Sequence, residues 1–253
     1  MADKRIIHGD EIKRPSKNII DKFKDIGSAS VAGKLSHGFG IKDPFIQGPR
    51  TFTPGKRVVG PALTLQFMPK REDVYPEGEY VEPEKQLHRH ALYHTKPGDI
   101  IVVDARGSMK SGVFGNMMLT YFYGAGGLGA IIDGCIRDFG ESKDIGLGLW
   151  LKGVTPNYHT QTEIFPFAVN VPIACGDTFV APGDLIVADD DGTAVIPQQH
   201  IEEFAGSIGE YHEWEEFSRI QLEKGGDLRR YYPLSDEARP EYEEWKKKNS
   251  KKK

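Results

Sequence analysis

The sequence predicts an α/β fold, and three stretches carry that reading. "KPGDIIVVDARG" (96–107) opens on a turn signal and continues as an apolar run to Asp104, the pattern of a buried strand. "VFGNMMLTYFYG" (113–124) reads as a short helix and "AGGLGAIID" (125–133) as a glycine connection and a second strand, so 100–133 runs strand, helix, strand. "APGDLIVADDDGTAVIP" (181–197) repeats the Pro-Gly-Asp phrase, with Pro182 standing 85 residues after Pro97. Two such units suggest two connected layers of one domain. The plainer reading is that Pro-Gly-Asp is a good turn.

The remaining elements follow in chain order. "NIIDKFKDIGSASVAGKL" predicts a helix, a break at Gly27-Ser28 and a second helix capped by Ser28 or Ser30. Residues 36–57 are rich in Gly and Pro and read as loop. "VVGPALTLQF" has the β-branched, apolar character of a strand. Residues 69–86 carry three prolines and many charges and read as a surface excursion, a lid or an oligomer contact. "LHRHALYHT" reads as a short helix, 141–152 has no single pattern, and 158–180 leans towards strand. Ile201, Phe204, Ile208, Tyr211, Trp214, Phe217 and Ile220 fall at steps of three or four, which predicts an amphipathic helix over 201–222. The lysine-ended tail reads as solvated. The expected organisation is an N-terminal extension (1–24), a core domain (25–200) with an insertion near 66–90, and a C-terminal helix and charged tail (201–253).

Composition narrows the function classes. Of 253 residues, 38% are hydrophobic and 28% charged, which is globular rather than disordered. A formal charge of -4 supplies no overall positive field for nucleic acid. No apolar run reaches the roughly 18–20 residues of a membrane span. The N-terminal stretch is polar with no signal-like apolar segment. The expectation is a cytoplasmic protein with no nucleic-acid or membrane partner. Cys135 and Cys175 make no disulfide framework or metal spacing, and Cys135 has no histidine near it in sequence to make it a nucleophile.

The informative stretch is "AIIDGCIRDFG" (130–140), in which a buried-looking strand runs into Asp133-Gly134 and then Arg137-Asp138. The bland reading is a turn with a surface ion pair, and the sharper one is an anion site beside a metal site. Taken with "PGDIIVVDARG", "FGNMM", "KGVTPN" and "NVPIACGDTFVAPGDLIVADDDGTAVIP", in order and spacing over roughly 25–200, the chain resembles the family that joins regulators of ribonuclease activity (RraA-like proteins) to the class II 4-hydroxy-4-methyl-2-oxoglutarate aldolases.

That resemblance implies a compact β/β/α sandwich of the swivelling-domain type, assembled as a homotrimer or homohexamer with sites between subunits. It implies that Arg137 and Asp138 form the site, with Asp138 as the metal ligand and Mg²⁺ or Mn²⁺ as the cofactor. The loop Gly115, Asn116, Met117 and Met118 would offer backbone amides to the substrate carboxylate. The chemistry suits the residue types. Retro-aldol cleavage of a 4-hydroxy-2-oxo acid and decarboxylation of oxaloacetate both leave a pyruvate enolate, whose C2 oxygen needs stabilising. Mg²⁺ needs only one or two protein carboxylates. Arg137 offers a forked donor set, amides at a helix start seat an anion, and Gly134 permits a tight turn.

Two departures bear on substrate. Asn116 stands where the family often has a carboxylate, and asparagine cannot exchange a proton at neutral pH. "VAGKL" at 31–35 replaces a family stretch that often carries an acid. A divalent-metal-dependent carbon–carbon lyase acting on a small 2-oxo acid is therefore expected, with Arg137, Asp138 and Asn116 as its catalytic set. The alternatives are a non-catalytic regulator that binds an RNA-processing enzyme, or another enolate-forming hydratase or decarboxylase. Asp104 and Asp189–Asp191 read as turn carboxylates. His37, His88, His90, His94 and His159 form no ligand set by spacing, although His90 and His94 fall one helical turn apart.

Overall fold

The computed structural model describes residues 7–73, 86–158 and 163–249, the side chains of 210–212 excepted. The excursion expected at 69–86 lies largely outside the described residues, as do His159 and the last lysines. The chain divides into two compact units, Met1–Ile201 and Glu202–Lys253.

In the first unit the strand–helix–strand reading of 100–133 holds. Four strands, β4 (Val58–Pro69), β5 (Ile100–Gly112), β6 (Gly129–Ile136) and β7 (Gly148–Val154), lie parallel and side by side. The crossover from β5 to β6 is helix α4 (Asn116–Gly124), as parallel strands require. The sheet is completed by short β2 (Phe45–Ile46) and β3 (Arg50–Thr51) at its edges, by β11 (Leu185–Ala188) and β12 (Thr193–Ile196) beside β4, and by β1 (Ile7–His8) and β8 (Ile164–Val169) branching from β4. A hairpin of β9 (Ile173–Cys175) and β10 (Thr178–Val180) stands apart from the sheet.

Both faces of the parallel strands are buried, which explains their near-continuous apolar runs. Leu63, Leu65, Ile101, Val103, Ile132 and Leu151 face one cluster with Leu87 and Leu92 of α3 (Leu87–Tyr93) and Leu119 and Phe122 of α4. Ala62, Ile100, Val102, Ile131 and Trp150 face the other, with Ile173, Cys175 and Val180 of the hairpin and Ile186 and Val195 of β11 and β12. Helices on one face and strands on the other give the expected β/β/α layering.

The two Pro-Gly-Asp phrases adopt one turn. Gly98 and Gly183 have positive φ (97° and 87°), and the Asp99 and Asp184 carboxylates accept the N–H groups of Lys96 and Ala181, each at 2.8 Å. The strands that follow use different stretches of β4, β5 pairing with Ala62–Gln66 and β11 with Val58–Pro61, and β11 with β12 packs across the second face of the parallel strands. The repeat is one of turn chemistry.

Other expectations are corrected. The first predicted helix is α1 (Lys17–Asp21), and α2 runs Ser28–Phe39, so 36–39 is helical despite its glycine. Neither Ser28 nor Ser30 caps it. The Asp189 carboxylate does so from across the fold, accepting the Ser28 N–H at 2.8 Å and its hydroxyl at 2.5 Å. Strand β5 does not stop at Asp104 but continues through two register shifts to Gly112. Residues 141–152 resolve into the end of α5 (Phe139–Ser142) and the start of β7.

Helix α6 (Ile201–Glu223), in the second unit from Glu202 onward, confirms the amphipathic pattern, with Phe204, Ile208 and Phe217 buried. Phe217 packs against Tyr231 on α7 (Leu228–Tyr231) and Tyr242 and Trp245 on α8 (Arg239–Asn249), at ring separations of 5.7–6.0 Å.

Candidate functional site

Strand β6 ends at Ile136, and the chain turns sharply at Asp138, whose φ of 56° lies in the left-handed region. Asp tolerates that conformation because its short polar side chain bonds locally, though it costs an L-residue about 1–2 kcal/mol. The turn is held from both sides. The Asp138 carbonyl accepts the Ser142 N–H and hydroxyl at 3.0 and 2.8 Å, and Phe139 packs edge-on to Phe52. Gly134, expected to supply the turn, lies inside β6. Its role is close packing, since a Cβ there would sit 2.7 Å from the Cβ of Ala105.

The start of α4 is tied to this turn. The Arg137 N–H donates to the Phe114 carbonyl at 2.9 Å, and the Val113 N–H to the Cys135 carbonyl at 3.0 Å. A Cβ on Gly115 would stand 2.7 Å from Asp138 Oδ2 and 2.8 Å from Arg137 Nε. Only glycine allows the loop to lie this close to both side chains.

Three predicted residues therefore meet on one atom. Asp138 Oδ2 lies 3.3 Å from Arg137 Nε and accepts the Asn116 N–H at 3.3 Å. The Asn116 side-chain NH₂ donates to Glu141 Oε2 at 3.0 Å, and its carbonyl accepts the Thr120 hydroxyl at 3.4 Å. These partners assign the amide's orientation. The Arg137 and Asp138 side chains are 41% and 40% exposed, and so open a pair contributes at most about 1 kcal/mol to stability. Stability is a poor reason for a strained Asp, a required glycine and a helix start to converge there. The Met118 amide is used within the helix, donating to the Gly115 carbonyl. The Asn116 amide faces Asp138, and Met117 is 78% exposed.

A second polar group crosses the neighbouring strands, joining Asp104, read from the sequence as a turn carboxylate, to Asp133 and Lys152. Val103, Ile132 and Leu151 are the last residues paired before the register shifts, and the residues that follow them, Asp104, Asp133 and Lys152, stand close together. Lys152 Nζ lies 2.7 Å from Asp133 Oδ1. Gly48 and Gly107, both at positive φ, wrap the lysine end: a Cβ on either would come within 3 Å of it.

Burial pushes the Asp104 carboxyl above the usual range and the neighbouring Asp133 adds to this, partly offset by the Arg106 N–H at 3.0 Å and the Arg106 charge. A carboxyl raised on folding costs nothing below its unfolded pKa and costs stability as pH rises through its folded value. Asp104→Asn keeps an acceptor for Arg106. It is expected to raise the melting temperature at pH 7 and leave it unchanged near pH 3. A thermal melt series across that range checks this.

The other candidates are structural. Asp189 caps α2, and Asp190 accepts the Gly55 N–H at 2.9 Å. Burial pushes both cysteine thiols up, Cys175 strongly, which removes the thiolate a nucleophile needs. His90 and His94 each stand 5.6 Å from His8 by ring centroid, and burial with those two rings lowers the His8 pKa. Among the described residues, no group of three or more His, Cys, Asp or Glu side chains gathers to hold a metal.

Comparison with known proteins agrees with this architecture. A model of the RraA-like family, described as "Aldolase/RraA", matches residues 17–195. The crystal structure of Streptomyces coelicolor RraAS2, described as "an unusual member of the RNase ES inhibitor RraA protein family", is 40% identical with a TM-score of 0.73, over 82% of this chain and all of that one. A Halalkalibacterium halodurans protein named "Putative 4-hydroxy-4-methyl-2-oxoglutarate aldolase" is 37% identical over 56% of this chain, and the match spans 60% of that relative's length. The Thermus thermophilus protein named "4-hydroxy-4-methyl-2-oxoglutarate aldolase" is 25% identical over 50% of this chain and 89% of its own. No helix among the described residues is long and apolar enough to cross a membrane. With the site's geometry and a family match over most of its length, the chain belongs to the RraA-like family.

Proposed function

We propose that this protein is a carbon–carbon lyase that takes a small 2-oxo acid and cleaves or decarboxylates it through a pyruvate enolate, with a divalent cation at Asp138. The observation that supports this best is the meeting of Arg137 and the Asn116 amide on one carboxylate oxygen of the part-exposed Asp138 side chain. The aldolase names of two relatives support the same reading. The homotrimer or homohexamer expected from the sequence belongs to this proposal.

The donor set fits a hard cation. Asp138 presents an open carboxylate, and Mg²⁺ or Mn²⁺ needs only one or two such groups with water completing the shell. When bound, that cation supplies Lewis-acid stabilisation of the C2 oxygen. The chain's own residues do the rest. Arg137 points Nε at Asp138, which leaves its two terminal NH₂ groups for the substrate carboxylate or C2 oxygen. Its positive charge stabilises an enolate more than a neutral ketone, which is differential binding of the transition state. The first turn of α4 adds the positive end of a helix dipole. Asn116 holds position rather than protons.

Protein stripped with a chelator is expected to lose activity and regain it with Mg²⁺ or Mn²⁺, and Asp138→Ala to lose that response and the cation's effect on oxalate affinity. Pyruvate release from a panel of 2-oxo acids and calorimetry with oxalate are the measurements. Full activity after stripping would remove the metal from the mechanism. The second reading, a non-catalytic regulator of an RNA-processing enzyme, draws on the 40%-identical Streptomyces relative, which is described as belonging to an RNase ES inhibitor family. It gains if no 2-oxo acid is turned over and oxalate does not bind.

A further inference from the structure

Glu141 has no part in the chemistry above, yet its carboxylate is fixed at the site. It accepts the Asn116 side-chain N–H at 3.0 Å, and Asn116 is in turn bonded through its backbone to Asp138. The tether is rigid at both ends. Asn116 is the first residue of α4, and Glu141 rides on α5, whose first turn is closed on the Asp138 carbonyl. The charge balance is lopsided: two carboxylates, Asp138 and Glu141, share one cation in ion-pair contact among the described residues, Arg137, and that cation is engaged with Asp138. A cation at Asp138 and the Arg137 terminal groups together match one substrate carboxylate and the developing enolate oxygen. Nothing in that balance is left for a second carboxylate, and Glu141 opposes one. The exposed α4 side chains one position on, Met117 and Tyr121, are uncharged.

We infer that Glu141 is a specificity-determining residue that turns the site away from 2-oxo dicarboxylates and towards 2-oxo monocarboxylates whose C4 arm is neutral. The inference rests on the lyase reading and sharpens it, favouring aldol cleavage of a 4-hydroxy-2-oxo monocarboxylate over decarboxylation of oxaloacetate. Asn116 belongs to the same device. Its NH₂ can hold Glu141, whereas an aspartate there would face Glu141 as a like charge across a 3.0 Å contact.

The test compares two ligands of equal length, 2-oxopentanoate and 2-oxoglutarate, by calorimetry with Mg²⁺ on the full chain, alongside turnover of 4-hydroxy-2-oxopentanoate and oxaloacetate. Glu141 is solvent-exposed, and in such water-like surroundings two like charges about 4 Å apart change binding by about five- to ten-fold. The wild type is expected to bind 2-oxopentanoate about five- to ten-fold more tightly than 2-oxoglutarate. Glu141→Gln should close that gap to within about two-fold, and Glu141→Lys should invert it. The kcat/KM ratio for the two substrates should move the same way, through KM. Glu141 is exposed, so the variants are expected to melt like the wild type. Equal wild-type affinity for the two ligands, or an unchanged gap in both variants, overturns the inference while leaving the lyase reading intact. Failure of the wild type to bind oxalate or either 2-oxo acid overturns both.

Discussion

Arg137→Lys is expected to lower kcat/KM for the best 2-oxo acid by about 10²–10³-fold, the scale seen when one preorganised donor to a developing oxyanion is removed. The geometry says why a retained charge is not enough. Arg137 addresses Asp138 through Nε at 3.3 Å, and the planar fork then points two further donors away from that carboxylate. A lysine ammonium is a single point of charge on a flexible stem. It either pairs with Asp138 or reaches the ligand. Thermal stability should change little, because the pair is two-fifths exposed and such pairs contribute about 1 kcal/mol at most. Steady-state kinetics with a melting curve on the same preparation separates the two effects. A loss of only a few-fold would reduce Arg137 to a point charge and leave orientation to other groups.

How much of this is legible in the sequence follows from where each interaction lies along the chain. Apolar runs flanked by turn residues are enough for the parallel strands and the α4 crossover, because both faces of those strands are buried and nothing in their pattern competes with strand. The pattern misleads where polar residues continue an element. Residues 105–112, "ARGSMKSG", look like loop but stay in β5 through two register shifts. Residues 36–39 contain a glycine but stay in α2. The Arg137-Asp138 pair is visible because its members are adjacent. Asn116 enters only through family resemblance, being 22 residues from Asp138 with a backbone contact that no composition reveals. Glu141 is silent, since a lone exposed glutamate carries no sequence signal. The row of Asp104, Asp133 and Lys152 stands where the register of three strands shifts, and "KGVTPN" carries Lys152 in the family motif without showing what it faces.

That row gives the largest expected effect on stability. Lys152→Met is expected to destabilise the protein by about 3 kcal/mol, the lower end of what removing one partner of a buried ion pair costs, because Lys152 is itself 33% exposed while the Asp133 side chain is 7% exposed. The substitution keeps the aliphatic stem that Gly48 and Gly107 enclose, so the cost falls on the carboxylate left behind. Asp133 would then sit unpaired beside Asp104, whose own carboxyl is already pushed up by burial. Adding Asp133→Asn should recover most of the loss, since a neutral amide at that position no longer needs the lysine, and non-additivity of this kind identifies a direct pair. Urea unfolding at pH 7 should show a lower midpoint in the single variant, a near-normal one in the double variant and an unchanged slope in both. Asp133 lies four residues before Arg137 on the strand that carries the site. Folded Lys152→Met protein should therefore keep its affinity for oxalate if the row only anchors β6. A single-variant loss well below 1 kcal/mol would mean that water replaces the ammonium at this end of the sheet.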